Sequence, residues 1–209
     1  QLRNQQEAQP DVRLERPLDI ASDARLPAQE SPCFPIKEIS LQGEQAEQFD
    51  WLIAAASVTS ESTPKTNSDS PIGRCLGTEG IRLVMKRMQN VLIAKGYVTS
   101  RVLAAPQDVS GGVLQITLMP GRIHTIRFDA GSSSRARLSN AMPASKGDLL
   151  NLRDIEQALE NFKRVPTAEA DIRILPAAGS SVRPGDSDIE ISWTQRRPIR
   201  LSADLNNSG

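Results

Sequence analysis

From residue 36 onward, the hydrophobic positions follow first a strand-like period and then a helical one. A short run that contains Ile36, Ile39 and Leu41 ends at Gly43 and predicts a strand. Apolar residues then recur at spacings of three and four, which places them on one face of a short helix. These residues are Phe49, Leu52, Ile53 and Ala56.

The strongest periodic signal is a long helix after residue 77. Thr78 is its predicted N-cap, Glu79 lies in the first turn where the helix dipole favours an acid, and Gly96 is the expected C′ residue. Its apolar stripe consists of Ile81, Val84, Met85, Met88, Val91 and Leu92. We interpret the methionines as core residues, because flexible apolar side chains commonly fill interior gaps.

Two alternating segments around this helix's C-terminal side predict a pair of strands. In the first, Val98, Ser100 and Val102 share one face, and in the second, residues 113–118, apolar residues alternate with polar ones. Residues 107–112, which end in Ser-Gly-Gly, predict the hairpin loop between them. The stretch from Thr59 to Pro71 is rich in turn formers and predicts a longer loop before the helix.

The same order of elements recurs further along the chain. A strand at 123–128 and a short helix near residues 138–142 precede a second long helix, which Asn151 caps with Asp154 at the capping-box position and Pro166 ends. The stripe of this helix consists of Leu152, Ile155, Leu159 and Phe162. Strands at 172–174 and 189–193 follow.

Equivalent landmarks of the two halves are separated by nearly constant distances. The offsets are 73 residues from Thr78 to Asn151, 74 from Val98 to Ile172 and 75 from Leu114 to Ile189. Such constancy predicts two copies of one β-α-α-β-β unit. The expected fold class is α+β, with two helices covering one face of each small three-stranded sheet.

Composition excludes several classes of function. The 25 basic and 25 acidic side chains cancel, so no net field attracts nucleic acid or an anionic membrane. Two Trp, one Tyr and four Phe residues are too few for the stacking ladder of a single-strand binder. No stretch approaches the ~20 apolar residues of a membrane-spanning helix, and we expect the chain as given to be soluble.

Residues that could carry catalysis are scattered. His124, the one histidine, sits in a predicted strand and is interpreted as structural. Gly111 and Gly112 lead into a strand, whereas a phosphate cradle opens onto a helix. The carboxylates of the second long helix indicate a solvated face. We therefore expect no enzyme, no cofactor and no metal.

The two cysteines, Cys33 and Cys75, lack the paired spacing of a zinc site. Such a minimal even count suits a disulfide in an oxidising compartment. Two buried free thiols are the alternative.

Several short motifs resemble the POTRA region of two-partner secretion transporters, the haemolysin-activator and filamentous-haemagglutinin-transporter family. They are Gly73-Arg-Cys-Leu-Gly77, Gly96-Tyr-Val-Thr-Ser-Arg-Val102, Pro106-Gln-Asp108, Gly112-Val-Leu114 and Pro120-Gly-Arg-Ile123. The resemblance implies tandem POTRA domains at residues 32–120 and 121–197 after a linker or extended arm, 1–31. Residues 198–209 are similar to the start of the first strand of that family's outer-membrane β-barrel, so we expect a fragment of such a transporter.

The resemblance also implies a function. The region would recognise clients on the periplasmic face of the outer membrane, for a translocator that exports one large β-helical exoprotein. Its partners would be the N-terminal secretion domain of that exoprotein and the transporter's own C-terminal β-barrel. The alternative is a structural POTRA module in a barrel-assembly or cell-division complex.

An open three-stranded sheet offers edges to which an extended peptide can add a strand. We predict that the client pairs with the segment from Val98 to Leu103, beside the face of the long helix. The predicted client-binding residues are Met88, Val91, Leu92, Val98, Thr99, Ser100, Arg101, Val102 and Leu103. An edge that is protected by its own loop is the alternative. We further predict a disulfide between Cys33 and Cys75.

Overall fold

The computed structural model describes residues 25–57, 69–165, 167–179 and 181–195. The elements of the first domain are β1 (Phe34–Pro35), β2 (Glu38–Gly43), a 3-10 helix (Ala46–Phe49), α1 (Trp51–Ala55), β3 (Cys75–Leu76), α2 (Thr78–Ala94), β4 (Arg101–Leu103) and β5 (Val113–Met119). Those of the second domain are β6 (Ile123–Phe128), a 3-10 helix (Leu138–Asn140), α3 (Leu152–Lys163), β7 (Ala168–Pro176) and β8 (Ser187–Gln195).

Both domains contain a three-stranded sheet with the same topology. The strand order is β2-β5-β4 in the first domain and β6-β8-β7 in the second. In each sheet the last strand is central, pairing parallel with the first strand and antiparallel with the strand before it. The α+β class and the duplicated unit predicted from the sequence are confirmed. The strands β1 and β3 form a separate two-stranded sheet.

Each domain has its own hydrophobic core. Buried residues of the first core include Ile36, Phe49, Leu52, Val84, Met88, Leu92, Leu114, Ile116 and Leu118. Those of the second include Ile123, Leu150, Ile155, Ala158, Phe162, Ile189, Ile191 and Trp193. The inward positions match the predicted periodic residues, although Ile53 of the predicted α1 stripe is exposed. None of the helices in the described ranges is long and apolar enough to cross a membrane.

Residues 25–32, which we call the strap, lie against the first domain. The side chain of Leu26 is buried in the core, and its N–H donates to Asp69 Oδ2 at 2.7 Å. The disulfide between Cys33 and Cys75 then joins the end of the strap to β3, with the two Cα atoms 5.3 Å apart. The disulfide predicted from the sequence is confirmed.

A strap residue caps the N-terminus of α2. The N-cap position is Gly77 rather than Thr78, and it provides no side-chain bond. The Glu30 carboxylate instead accepts from the N–H groups of Gly77 (2.8 Å), Glu79 (3.0 Å) and Gly80 (3.1 Å). The predicted Thr78 cap is therefore wrong, because an acid about 50 residues earlier fills its place.

Two further helix ends, the C-terminus of α2 and the N-terminus of α3, follow the sequence. Gly96 has φ +94, and the bonds from Gly96 N–H to Ile93 and from Tyr97 N–H to Leu92 form a Schellman motif. Asn151 Oδ1 accepts from Arg153 N–H at 3.0 Å and caps α3 as predicted.

Some predicted elements cannot be compared with the structure. Most of the predicted loop from Thr59 to Pro71, the helix stop at Pro166 and the barrel-like segment 198–209 lie outside the described residues.

Candidate functional site

The helix residues predicted to bind a client are mainly interior. Met88 and Leu92 have no exposed surface, and Val91 is half-buried. Because the stripe of α2 that faces the sheet forms the core, Met88 and Leu92 cannot also line an open groove. The structure therefore places Met88 and Leu92 in the core, and their contact with a client stays a prediction.

The predicted strand from Val98 to Leu103 divides into two parts with different roles. Only Arg101–Leu103 pair with β5. The three residues before them form a turn at the junction of the two domains. There, Val98 packs against the second core, and Ser100 Oγ accepts from Gly121 N–H at 2.9 Å.

Close packing continues around this junction. A Cβ at Gly121 would lie 2.0 Å from Thr99 Oγ1, so only glycine fits there. Leu152 N–H at the start of α3 donates to Gly96 O at 2.8 Å. The alternation of Val98, Ser100 and Val102 is real, but Val98 is covered by the other domain and not by its own sheet.

Charged side chains reinforce the junction. Glu44, after β2, accepts from Arg122 at 2.8 Å and from Arg183 at 3.1 Å, both in the second domain. Arg122 is nearly buried and also donates to Gly147 O at 2.9 Å. These ion pairs and the bond from Gly121 N–H to Ser100 Oγ link the two domains, so Ser100 does not present a free edge.

β4 is an edge strand, and a side chain occupies its outer hydrogen-bonding groups. Gln89 of α2 accepts from Val102 N–H at 3.1 Å and donates to Ser100 O at 3.0 Å. These two bonds imitate the pairing of a neighbouring strand. The alternative of a protected edge thus applies to this end of β4, but the protection comes from a side chain of α2 and not from a loop.

A groove of about 440 Å³ begins beyond this amide, along the first half of α2. It is lined by Pro32, Phe34, Gly77, Thr78, Ile81, Arg82, Met85, Ala104, Ala105, Pro106, Gln107, Val109 and Leu114. Most of these residues are apolar, and Phe34 is 36% exposed. Leu103, which precedes the lining residue Ala104, is 46% exposed. We call this feature the α2 groove.

A second glutamine closes the β5 side of the groove. Gln107 Nε2 donates to Gln115 O at 2.7 Å, and Gln115 N–H donates to Gln107 Oε1 at 2.8 Å. Since β4 ends opposite Thr117, the amide of Gln107 occupies the next pairing position along β5. The sequence analysis did not identify Gln89 or Gln107 as edge-protecting residues. An amide such as Gln89 within the helix α2 indicates a polar contact, but the sequence does not show which backbone groups it bonds to.

The charged side chains around Asp188 have structural roles. Burial raises the pKa of Asp188, but hydrogen bonds from Thr125, His124 and Arg127 outweigh it and hold the pKa below its ordinary value. His124 Nδ1 lies 2.9 Å from Asp188 Oδ1, which agrees with the structural role predicted for it. No group of three metal-ligating side chains occurs in the described ranges. The surface offers an apolar groove and strand edges, which are suited to binding a peptide.

Comparison with known proteins agrees with this architecture. Residues 34–121 match the POTRA domain, ShlB-type, and residues 122–176 match the POTRA domain family. The chain is similar along its whole length to the outer membrane transporter CdiB of Escherichia coli, with 34% identity over 33% of that protein. The chain belongs to the POTRA region of the two-partner secretion transporter family.

Further relatives place the POTRA domains in the same group. Outer membrane transporter CdiB-2 of Burkholderia pseudomallei is 39% identical over 66% of this chain and 23% of that protein. The solved structure of CdiB from Acinetobacter baumannii superposes with a TM-score of 0.71 and 30% identity, covering 87% of this chain and 33% of that one. The chain thus spans at most about a third of these relatives, and they are named as transporters and not as enzymes.

Proposed function

We propose that this chain is the periplasmic client-recognition region of an outer-membrane translocator that exports a large β-helical exoprotein. It acts by binding and has no catalytic role. The observation that carries this proposal is the similarity along the whole chain to a transporter of the two-partner secretion family. The client is the N-terminal secretion domain of the exoprotein, and in the complete transporter the second POTRA domain leads to a β-barrel.

A structural role in a barrel-assembly complex is the second candidate. The chain resembles POTRA domains of Omp85 from Anabaena with a TM-score of 0.54 at 14% identity, which is a likeness of fold alone. The transporter relatives are 34% and 39% identical and therefore favour the export function.

The proposed client site combines the α2 groove with the edge of β4. An extended client segment lies along the first half of α2, where Phe34, Ile81 and Met85 receive its apolar side chains. Arg101, one of the predicted client-binding residues, is exposed and donates to Val98 O at 2.8 Å, so it lies at the junction end of β4. Leu103 lies at the groove end.

Binding of the purified chain to the secretion domain of the exoprotein encoded beside it tests this site. Leu103→Glu and Phe34→Ser change exposed side chains, so we expect the fold to persist and the affinity to fall about tenfold, as for central contacts of an interface. Val165→Glu is the matched control, since Val165 is 43% exposed in the second domain. Equal binding by all three variants would contradict the proposed site.

Gln89→Ala separates edge pairing from binding in the groove alone. The variant frees Val102 N–H and leaves Arg101, at 3.1 Å, as the remaining side-chain donor to Ser100 O. If the client pairs with β4, it no longer has to displace the amide, and we expect binding several-fold tighter than that of the unmodified chain. Unchanged affinity would confine the client to the groove.

A further inference from the structure

In the part of the chain that the structure describes, the outer edge of β6 in the second POTRA domain is only partly covered. At the start of this strand, Ile123 N–H donates to Asp148 O at 3.0 Å and Gly147 N–H donates to Ile123 O at 2.7 Å. Residues 147–148 therefore cover the outer side of β6 at Ile123. The cover runs antiparallel to β6, as the bridge between Arg122 and Leu149 shows.

This cover ends before the strand does. Asp129 N–H donates to Ile191 O in β8 at 2.9 Å, and by strand alternation the backbone groups of Arg127 and Thr125 face β8 as well. Because successive strand residues direct their backbone groups to opposite sides, Ile126 and Phe128 direct theirs away from β8. Among the described residues, no hydrogen bond reaches these outward groups.

A groove of about 430 Å³ lies beside this uncovered edge. It is lined by Thr125, Ile126, Leu138, Ser139, Met142, Ala144, Ser145 and Lys146. Leu138, Met142 and Ala144 supply apolar surface, and Lys146 is the one charged side chain among the described lining residues. We call this feature the β6 groove.

The wall of the β6 groove is fixed at both ends. Asn161 of α3 donates to Ala141 O at 3.0 Å, which ties the segment after the 3-10 helix to α3. Ser145 N–H donates to Asp148 Oδ2 at 2.8 Å and holds the turn at the other end. The groove therefore exists before any ligand arrives, which lowers the cost of ordering on binding.

We propose that the β6 groove binds an extended, acidic and apolar peptide segment of a partner protein. The segment continues the antiparallel pairing of residues 147–148 onto Ile126 and Phe128. Its alternate apolar side chains contact Leu138 and Met142, and a carboxylate pairs with Lys146. The free backbone groups select an extended strand, and the single lysine selects an acidic one. This site lies in the other domain from the α2 groove and does not depend on the proposed client.

The probe is an acetylated peptide of five residues that alternate valine and aspartate, added to the isotope-labelled chain. We expect amide chemical-shift changes centred on Ile126 and Phe128 and at least tenfold slower hydrogen exchange of these two amides. A peptide N-methylated on its pairing side keeps the side chains but cannot form the strand bonds, and it should lose at least tenfold in affinity. Shifts centred on the α2 groove, or no shifts, would overturn the proposal.

Charge exchange tests the role of Lys146. Lys146→Glu alters an exposed side chain and should weaken the aspartate peptide several-fold, while a valine–lysine peptide gains affinity for the variant. Lys163→Glu, an exposed lysine of the same domain outside the groove, is the control and should bind the aspartate peptide like the unmodified chain. Equal binding of both peptides by Lys146→Glu would contradict the acidic preference.

Discussion

The two POTRA domains share a topology but treat the equivalent edge strand differently. In the first domain, β4 has three residues, and Gln89 of the adjacent helix bonds to its outer groups. In the second domain, β7 has nine residues and carries the exposed charges Glu169, Asp171 and Arg173. Phe162 of α3 lies 73 residues after Gln89 and occupies the equivalent position, so this position has no amide that could bond to the edge strand.

The difference shows that edge protection is a property of individual residues and not of the fold. The edge at β4 is protected by its shortness and by an amide, and the edge at β7 is protected by charged side chains. A second contrast accompanies the first, since the disulfide and the strap belong to the first domain alone in the described part of the chain. Each domain also contains one tryptophan, Trp51 or Trp193, so the two indole N–H signals in an NMR spectrum report the unfolding of each domain separately.

The largest expected effect is loss of the disulfide. The variant with Cys33→Ser and Cys75→Ser opens a loop of 42 residues, and the loop-entropy argument gives a loss of about 4 kcal/mol for the first domain. Urea unfolding should show an earlier Trp51 transition and an unchanged Trp193 transition. If both transitions move equally, the two domains unfold as one cooperative unit.

Removing the strap's cap should have the next largest effect. Glu30→Ala leaves three N–H groups at the start of α2 without their acceptor, and we expect the first domain to lose about 2 kcal/mol. Glu30→Gln, which keeps one acceptor oxygen, should lose less. The Trp51 transition measures both variants, and a loss no greater than that of Arg25→Ala would mean that the cap contributes nothing.

The corresponding change in the second domain is smaller. Asn151→Ala removes one bond to Arg153 N–H, which is worth about 1 kcal/mol for a local helix cap. It also removes the bond to Lys95 O in the first domain. We expect an earlier Trp193 transition, and a loss larger than that of Glu30→Ala would reverse the order proposed for the two caps.

The smallest effect is the response to acid. Burial raises the pKa of Asp69, but bonds from Arg87 and Leu26 N–H and the charges of Arg87 and Arg74 hold it below its ordinary value. The pKa of Asp188 is also lowered. A lowered folded-state pKa stabilises each domain above pH ~4, and this stability disappears as the pH falls through the folded value. Asp188→Asn should flatten the acid response of the Trp193 transition and leave that of Trp51 intact.

Most of the fold could be predicted because its signals are periodic and local. The stripes of α2 and α3, the alternation of β5 and the Gly96 terminus depend on neighbours close in sequence. The Thr78 prediction was wrong because the acceptor, Glu30, is distant in sequence. The candidate site was harder to predict than the fold. The sequence pattern alone does not distinguish helix residues that face the core from those that line a groove, and Val98 is covered by the other domain, which a local pattern does not reveal.

The strap has a consequence for where the first domain begins. The family match starts at residue 34, whereas Leu26, Glu30 and Cys33 all precede it. A fragment cut at that boundary would keep both three-stranded sheets, yet it would lack a buried leucine, the acceptor for three amides and one half of the disulfide. The unit that similarity recognises and the unit that folds therefore start at different residues.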